Sequence, residues 1–498
     1  MARDRPARFS RRRFLKTGAL AAGGLGVLQS QQFLSGQSVD PVLLPSFVAD
    51  MNGNGWLGAI DKRVAQDALL TTRGRGLIPR EDFNYRADVF GRGIVDQQSV
   101  DSVIYTVNAL ESGLIEREPR PITIAWHYGW YNLEERPPGM QTVQFKGGDY
   151  RSRDPEIESV FNEQKNEFGI SVDALSWIPE RENKDMLDNY RRGLFSTHNL
   201  DTRHLALLYE STIALPYDGA RVDFLDPSSS ELLQTDFEQM GRFLAEGEEK
   251  GGKVFTLDGR PVVFLFGSHT WGQLPYRATE TTTLEIALDM AREAFRVAYG
   301  KLPFLVGEEM NLSPDIPLYE DRARRIASFD AIYVYHHAAL KPFTSSAEEG
   351  VTLLYDDLYL NHQRAILRQN FDMTSTLRNR YTGNRVPVIP NLSPGFAKPG
   401  LAVLKMGRGD YADFMKAMRH THLDLLSEYT WQNIVGTSLM PAPIYIVGSW
   451  NEEFEGHAVL PASFNDSLPE MQQEGFDLVM AIKEVFGWNH FADRPIEA

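Results

Sequence analysis

The sequence predicts an α/β protein: a (β/α)8 barrel with a small helical calcium-loop module ahead of it. Three observations point to the barrel. After Pro121, short apolar, β-branched runs alternate with longer helical segments, the pattern of repeated βα units. Eight such runs can be counted, and several are nearly continuous in apolar residues, as strands buried on both faces must be. The segments between them, such as Pro155–Phe168, Leu284–Tyr299 and Tyr411–Tyr429, carry helical amphipathic spacing. A doubly wound open sheet is the competing arrangement for the same alternation. Eight parallel strands favour closure, which places the chemistry on the loops after the strand C-termini.

The 498 residues divide into a leader at 1–38, a helical module at 45–112 and the barrel at 118–498. The leader contains Ser10-Arg11-Arg12-Arg13-Phe14-Leu15-Lys16, followed by an Ala- and Gly-rich apolar stretch from about Thr17 to Leu28. Paired arginines before a short apolar run predict a twin-arginine export signal, hence a periplasmic or extracellular protein. The run is shorter than the roughly 20 residues a membrane span needs, so no transmembrane anchor is expected after signal removal. The chain has no cysteine, which excludes disulfides and thiolate chemistry. Its net charge of −16 argues against a nucleic-acid partner, because phosphate neutralisation needs a basic face.

In the module, Asp50-Met51-Asn52-Gly53-Asn54-Gly55-Trp56-Leu57-Gly58-Ala59-Ile60-Asp61 fits an EF-hand-type loop. Oxygen donors fall at Asp50, Asn52 and Asn54, Trp56 holds the next position by its backbone, and Asp61 closes the loop. The terminal Asp makes it similar to a dockerin repeat. A structural Ca2+ is expected here, with a protein partner for the module, although a plain Asn-Gly turn also fits. A degraded second copy over 88–99 keeps Asp88, Gly93 and Asp96 but has Phe90 and Arg92 at ligand positions, and is not expected to hold metal.

The eight runs are Ile122–Trp126, Ser171–Leu175, His204–Leu208, Val262–Phe266, Phe304–Val306, Ala331–Val334, Val386–Ile389 and Ile444–Val447. The residues after them are aromatics and carboxylates with few lysines: His127, Trp130 and Tyr131; Trp177; Glu210; His269; Glu308 and Glu309; Tyr335; Asn451. Aromatic faces stack on sugar rings, and carboxylates bind hydroxyls and move protons, so this rim predicts a glycan site. Glu308-Glu309 reads equally as a solvated pair or a substrate contact. His336-His337 and His420-Thr421-His422 do not present two ligands to one face, so a metal is not expected at either. No phosphate loop and no nucleophile elbow occurs.

The last run leads into Gly448-Ser449-Trp450-Asn451-Glu452-Glu453-Phe454-Glu455-Gly456. Glu452 and Glu455 are separated by two residues, so one turning loop can bring both carboxyls to one pocket. Glycosidases need such a pair, one group acting as acid and the other as base or nucleophile.

Here the chain resembles glycoside hydrolase family 99 across about residues 120–480. S-W-N-E-E-F-E-G-H-A-V-L-P-A at 449–462 is similar to the family's S-[FW]-N-E-W-H-E-G-T-x-I-E-P-A. G-D-Y-R-S-R-D-P-E-I-E at 148–158 and F-G-I-S-V-D-A-L-S-W at 168–177 resemble its Y-S-S-x-D-P and A-G-I-D-V…S-W segments. W-H-Y-G-W-Y at 126–131, L-D-G-R-P-V-V-F at 257–264 and P-N-L-S-P-G-F at 390–396 match three further stretches. The resemblance implies a retaining, endo-acting hydrolase of α-mannosides needing no catalytic cofactor. It gives Glu452 the role of base on the sugar 2-hydroxyl and Glu455 that of acid, by way of a 1,2-anhydro sugar. It places Trp177, Glu210 and Tyr335 where the family binds sugar. The chain departs from the pattern at Glu453, Phe454, His457 and Leu460, beside the scissile bond, and Glu453 leaves a second register for the base. A non-catalytic glycan-binding or surface-assembly protein is the alternative, and a polysaccharide-modifying enzyme a third.

Overall fold

The computed structural model describes residues 59–72, 95–112, 121–130, 151–217, 221–272, 278–309, 320–334, 352–354, 357–396, 403–406, 408–428, 442–451, 459 and 475–486. Each of the eight apolar runs contributes a strand: β1 (Ile122–His127), β2 (Val172–Trp177), β3 (His204–Glu210), β4 (Arg260–Phe266), β5 (Phe304–Glu308), β6 (Ala331–Tyr333), β7 (Val388–Ile389) and β8 (Ile444–Ser449). They pair in parallel in the order β7-β6-β5-β4-β3-β2-β1-β8. The ring closes just past β7, where Asn391 pairs with Ile446 and Leu392 N donates to Ile446 O at 2.7 Å. The sheet is therefore a nearly closed (β/α)8 barrel.

Ring contacts confirm closure independently. Trp126 of β1, Phe264 of β4 and Tyr333 of β6 lie on strands that are not neighbours, yet their ring centroids are 5.0–5.6 Å apart. They can meet only across the lumen, which is filled by side chains as an eight-stranded barrel requires. This fixes the alternation. Trp126, Ser176, Glu210, Phe264, Glu308 and Tyr333 belong to the lumen face, and their immediate strand neighbours face the helices.

The helices that matter for the site are α3 (Pro155–Phe168), α4 (Lys184–Arg192), α5 (Pro227–Glu249), α6 (Ala278–Tyr299) and α7 (Glu320–Ala327), numbered after α1 (Ala59–Thr72) and α2 (Gln97–Glu111). The Asp154-Pro155 pair starts α3 in two ways. The Asp154 carboxylate accepts from the Glu156 and Ile157 amides, and Pro155 sits where its missing N–H costs nothing. Asp226-Pro227 repeats the device for α5. An Asp258-Gly259 turn, with φ of 54° and 66°, folds Thr256–Leu257 back antiparallel onto the start of β4.

In the N-terminal region α1 packs on α2 through Ala65, Ala68, Val100, Val103 and Val107, with Lys62 Nζ donating to Asn108 Oδ1 at 2.8 Å. Residues 1–38 and Asp50, Asn52, Asn54 and Trp56 lie outside the described residues, and Asp61 falls in the first turn of α1. Asp96 caps α2, accepting from the Ser99 amide at 2.9 Å, which accounts for its place in the weak second repeat. Among the described residues no helix is long and apolar enough to cross a membrane.

Between the sheet and α3 lies a buried ionic cluster. Asp173 of β2 contacts Lys165 Nζ through Oδ1 and Arg203 Nε through Oδ2, both at 2.7 Å. Lys165 Nζ is also 3.0 Å from His127 Nδ1, and His127 Nε2 is 3.3 Å from Glu158 Oε2. Arg203 completes its own bonds to Asn166 Oδ1 and Ile170 O. Burial alone would push the Asp173 carboxyl upward, but Arg203, Lys165 and His127 hold it well below the usual carboxylate range. Burial pulls the Lys165 ammonium below its ordinary value.

Candidate active site

The C-terminal mouth of the barrel is built from strand ends, and alternation decides what each contributes. At β1 the lumen residue is Trp126. His127 points the other way, into the ionic cluster under α3, and Tyr190 Oη donates to its backbone oxygen at 2.5 Å. Trp177 also lies on the helix side. It stacks beside Tyr209 at 5.9 Å, and Tyr209 Oη donates to Asp236 Oδ2 of α5 at 2.7 Å. The structure thus places His127 and Trp177 in the sheet–helix layer, away from the expected sugar contacts. The residues their strands give to the lumen are Trp126 and Ser176, the first of which the strand-end reading passed over.

Glu210, expected at the rim, ends β3 on the lumen face. Its Oε1 accepts from Ser176 Oγ of β2 at 2.8 Å. Glu308 ends β5 on the same face, and the loop after β4 is tied to it by three bonds. Gly267 N donates to Glu308 Oε2 at 2.5 Å, Ser268 Oγ donates to Glu308 O at 3.1 Å, and Glu308 N donates to Ser268 Oγ at 2.7 Å. Gly267 has φ 76°, a left-handed turn that brings its amide down onto the carboxylate. His269 Nδ1 stands 3.4 Å from Glu308 Oε2. Tyr333 ends β6 among these groups. Burial raises its phenol well above the ordinary value, and the charges of Glu308 and Glu210 raise it further. Its hydroxyl is buried with no hydrogen-bond partner among the described residues.

The pair read as one unit, Glu308-Glu309, is split by the strand. Glu309 turns outward and forms ion pairs with Arg325 at 2.6 Å and Arg322 at 3.0 Å on α7. It is neither a solvated residue nor one that faces the lumen. In the same way His422 is buried between Phe371 and Tyr445, while His420 is exposed beside Asp424, so the two imidazoles diverge. Among the described residues no cluster of acids and histidines could hold a metal ion.

Trp130 packs on Tyr128 with centroids 4.4 Å apart, at the edge of the core. Asn451 lies just beyond β8. Its Oδ1 accepts from Tyr128 N and its Nδ2 donates to Tyr128 O, both at 2.8 Å. Trp450 N donates to Trp126 O at 2.6 Å, and Val459 N donates to Ser449 O at 2.9 Å. Both flanks of the acidic segment are therefore fixed where β8 meets β1. Glu452, Glu453 and Glu455 fall between these flanks and, like Tyr131, Tyr335, His336 and His337, lie outside the described residues.

No protein-family model matches the chain, and no curated protein matches it. Among solved structures, a "Glycoside hydrolase-like protein" aligns with a TM-score of 0.48 and 16% identity, covering 75% of this chain and 96% of that one. The GH99 endo-alpha-mannosidase from Bacteroides thetaiotaomicron aligns at 0.42 and 14% identity, covering 73% and 96%. A GH26 beta-mannanase from Bacteroides ovatus aligns at 0.37 and 12% identity, covering 74% and 94%. The structural neighbours thus include glycoside hydrolases of different families.

Proposed function

We propose that the chain is an exported glycoside hydrolase that cleaves an α-linked, mannoside-type glycan with retention of configuration. One juxtaposition supports the reading. Lumen-facing Glu210 and Glu308 end their strands at the same end of the barrel as Asn451, the residue directly before Glu452 in the chain. In this proposal, acceptors for sugar hydroxyls and a pair of proton-moving carboxylates sit at one mouth. In the proposed mechanism Glu452 takes the proton of the sugar 2-hydroxyl. That oxygen attacks the anomeric carbon as the glycosidic bond breaks, and Glu455 delivers its proton to the leaving oxygen. The resulting 1,2-anhydro sugar is opened by water, whose proton returns to Glu455, while Glu452 hands its proton back to O2. An internal hydroxyl beside the reacting carbon has a high effective concentration, so the carboxylates need only move protons. Trp130, Tyr131, Glu210 and Tyr335 are proposed to hold the sugar.

The test uses the purified chain and Glu455→Gln against α-linked mannans and other bacterial and fungal glycans. Products are followed by chromatography and anomeric NMR. Cleavage with net retention, lost in the variant, is expected. Cleavage with inversion would overturn the anhydro-sugar route, and saturable binding without cleavage would make the protein a glycan-binding module. The Asp50–Asp61 loop is proposed as a structural calcium site, to be checked by the effect of chelator on the melting temperature.

A further inference from the structure

Tyr333 poses a problem that folding alone does not solve. Its ring is packed against Trp126 and Phe264 in the lumen, yet its hydroxyl is buried with no partner among the described residues. A polar atom left in that state costs free energy unless something later bonds to it. His269 Nδ1 is in the same condition, 3.4 Å from the Glu308 carboxylate and without a hydrogen bond. Glu308 itself is 5% exposed in its side chain. Among the described residues it receives one backbone N–H, from Gly267, whereas its neighbour Glu309 is neutralised by two arginines. A carboxylate has about four acceptor sites, so Glu308 retains capacity. Three polar groups, from the loop after β4 and from β5 and β6, thus converge at the mouth, each with hydrogen-bonding capacity left unused among the described residues.

We propose that Glu308, Tyr333 and His269 form a subsite that reads two hydroxyls of an uncharged sugar residue and rejects a uronate at that position. The inference rests on the hydrolase reading and adds to it the class of sugar admitted. Glu308 accepts from one sugar hydroxyl, and the Tyr333 hydroxyl donates to the next. The His269 ring nitrogen at 3.4 Å closes the side of the subsite facing the loop after β4. A sugar carboxylate placed here would meet the Glu308 charge at short range, and among the described residues no lysine or arginine pairs with that charge, so repulsion disfavours it. Glu308 is a substrate-orienting group in this account, since the proton-moving pair lies on the loop after β8.

The experiment compares the full chain with Glu308→Gln and Tyr333→Phe on two forms of one glycan, the neutral polymer and its C6-oxidised, carboxylate-bearing counterpart. Binding by calorimetry and cleavage kinetics are read together with the melting temperature. Gln keeps an oxygen for the Gly267 amide, so Glu308→Gln is expected to melt like the parent. It is expected to raise KM for the neutral glycan about tenfold with little change in kcat, the scale of one hydrogen bond to a charged group. It should also narrow the discrimination against the oxidised form. Tyr333→Phe removes only an unpartnered buried hydroxyl, so it should hold or raise the melting temperature while weakening neutral-glycan binding several-fold. A purely structural role gives the reverse for Tyr333→Phe, lower stability with unchanged affinity, and overturns the proposal. Unchanged affinity and discrimination in Glu308→Gln, with the parent binding glycan normally, sinks the subsite alone. A parent chain that binds neither form of any glycan tried sinks the hydrolase reading and the subsite with it.

Discussion

Replacing Asp173 by Asn should destabilise the barrel severely, because Asp173 is the shared anion of two buried cations. Its two oxygens are divided between Lys165 and Arg203, at 2.7 Å each, and all three side chains are fully buried. Asn supplies one acceptor in place of two, and its amide hydrogens would be turned toward a cation. Removing one member of such a buried set typically costs about 3–5 kcal/mol, since the stranded charge cannot reach water. For a unit of roughly 380 residues the entropy of unfolding near the midpoint is about 0.8 kcal/mol/K, so the melting temperature should fall by about 4–6 °C. Calorimetry at neutral pH reads this directly. The double variant Asp173→Asn with Lys165→Met removes the stranded ammonium as well and should recover part of the loss. The acid limb supplies a second check. The Asp173 carboxyl is depressed in the folded state relative to its ordinary 3.8, so its stabilisation is present above that pH and is lost as pH falls through the folded value. The variant should therefore lose stability less steeply below about pH 4. A melting point within about 1 °C of the parent, with an unchanged acid limb, would refute the argument that these charges depend on one another.

Other substitutions test neighbouring claims. Burial lowers His422 from 6.5 to about 3, so between those values the unfolded chain binds a proton the folded chain refuses, and stability drops as pH falls. His422→Phe should therefore be about 2 kcal/mol more favourable at pH 5 than at pH 7.5, relative to the parent, in urea titrations; equal effects at both pH values would count against it. His204, lowered to about 4 by burial and by Arg203 and Lys253, is expected to leave a similar residual slope in that variant. Glu309→Gln deprives Arg322 and Arg325 of their counter-ion and should cost about 3–5 kcal/mol of stability while leaving glycan affinity unchanged, the opposite of Glu308→Gln. A β-carbon on Gly307 would lie 2.1 Å from the buried Phe329 ring, so Gly307→Ala should destabilise by about 1–3 kcal/mol, and a neutral result would mean the ring can move aside.

Much of the barrel was legible because its strands are buried on both sides, so the requirement for apolar residues is nearly continuous and survives without knowledge of register. All eight apolar runs lie in or overlap the eight strands, and the Asp154-Pro155 start and Gly169 end of α3 follow from local chemistry alone. The site was less legible for the complementary reason. Continuous burial erases the period of two, so nothing in Trp126-His127 or Tyr209-Glu210 says which member faces the lumen. Selecting strand-end residues by chemical type therefore gathered His127 and Trp177 from the helix side together with Glu210 from the lumen. One signal was available. A strand end carries adjacent residues to opposite faces, so Glu308-Glu309 had to be split, with one half requiring a cationic partner; the arginine-rich E-D-R-A-R-R of α7 supplies it.

The fold also changes what Asn451 is for. A sequence reader gives an Asn beside a carboxylate pair to the substrate, because its amide can both donate and accept. In the fold both ends of that amide are engaged by the backbone of Tyr128, on the far side of the β1–β8 seam. Asp could accept from the Tyr128 amide but would repel its carbonyl, and Gln would carry the amide a methylene too far. Asn is thus the side chain that can bind an N–H and a C=O of one residue from this position. It fastens the aromatic segment after β1 to the first residue before Glu452, while Val459 returns to Ser449 at the other end. A loop that must hold carboxylates to fractions of an ångström gains most from fixed ends. Asn451 therefore serves the proposed chemistry by setting where the acidic segment begins.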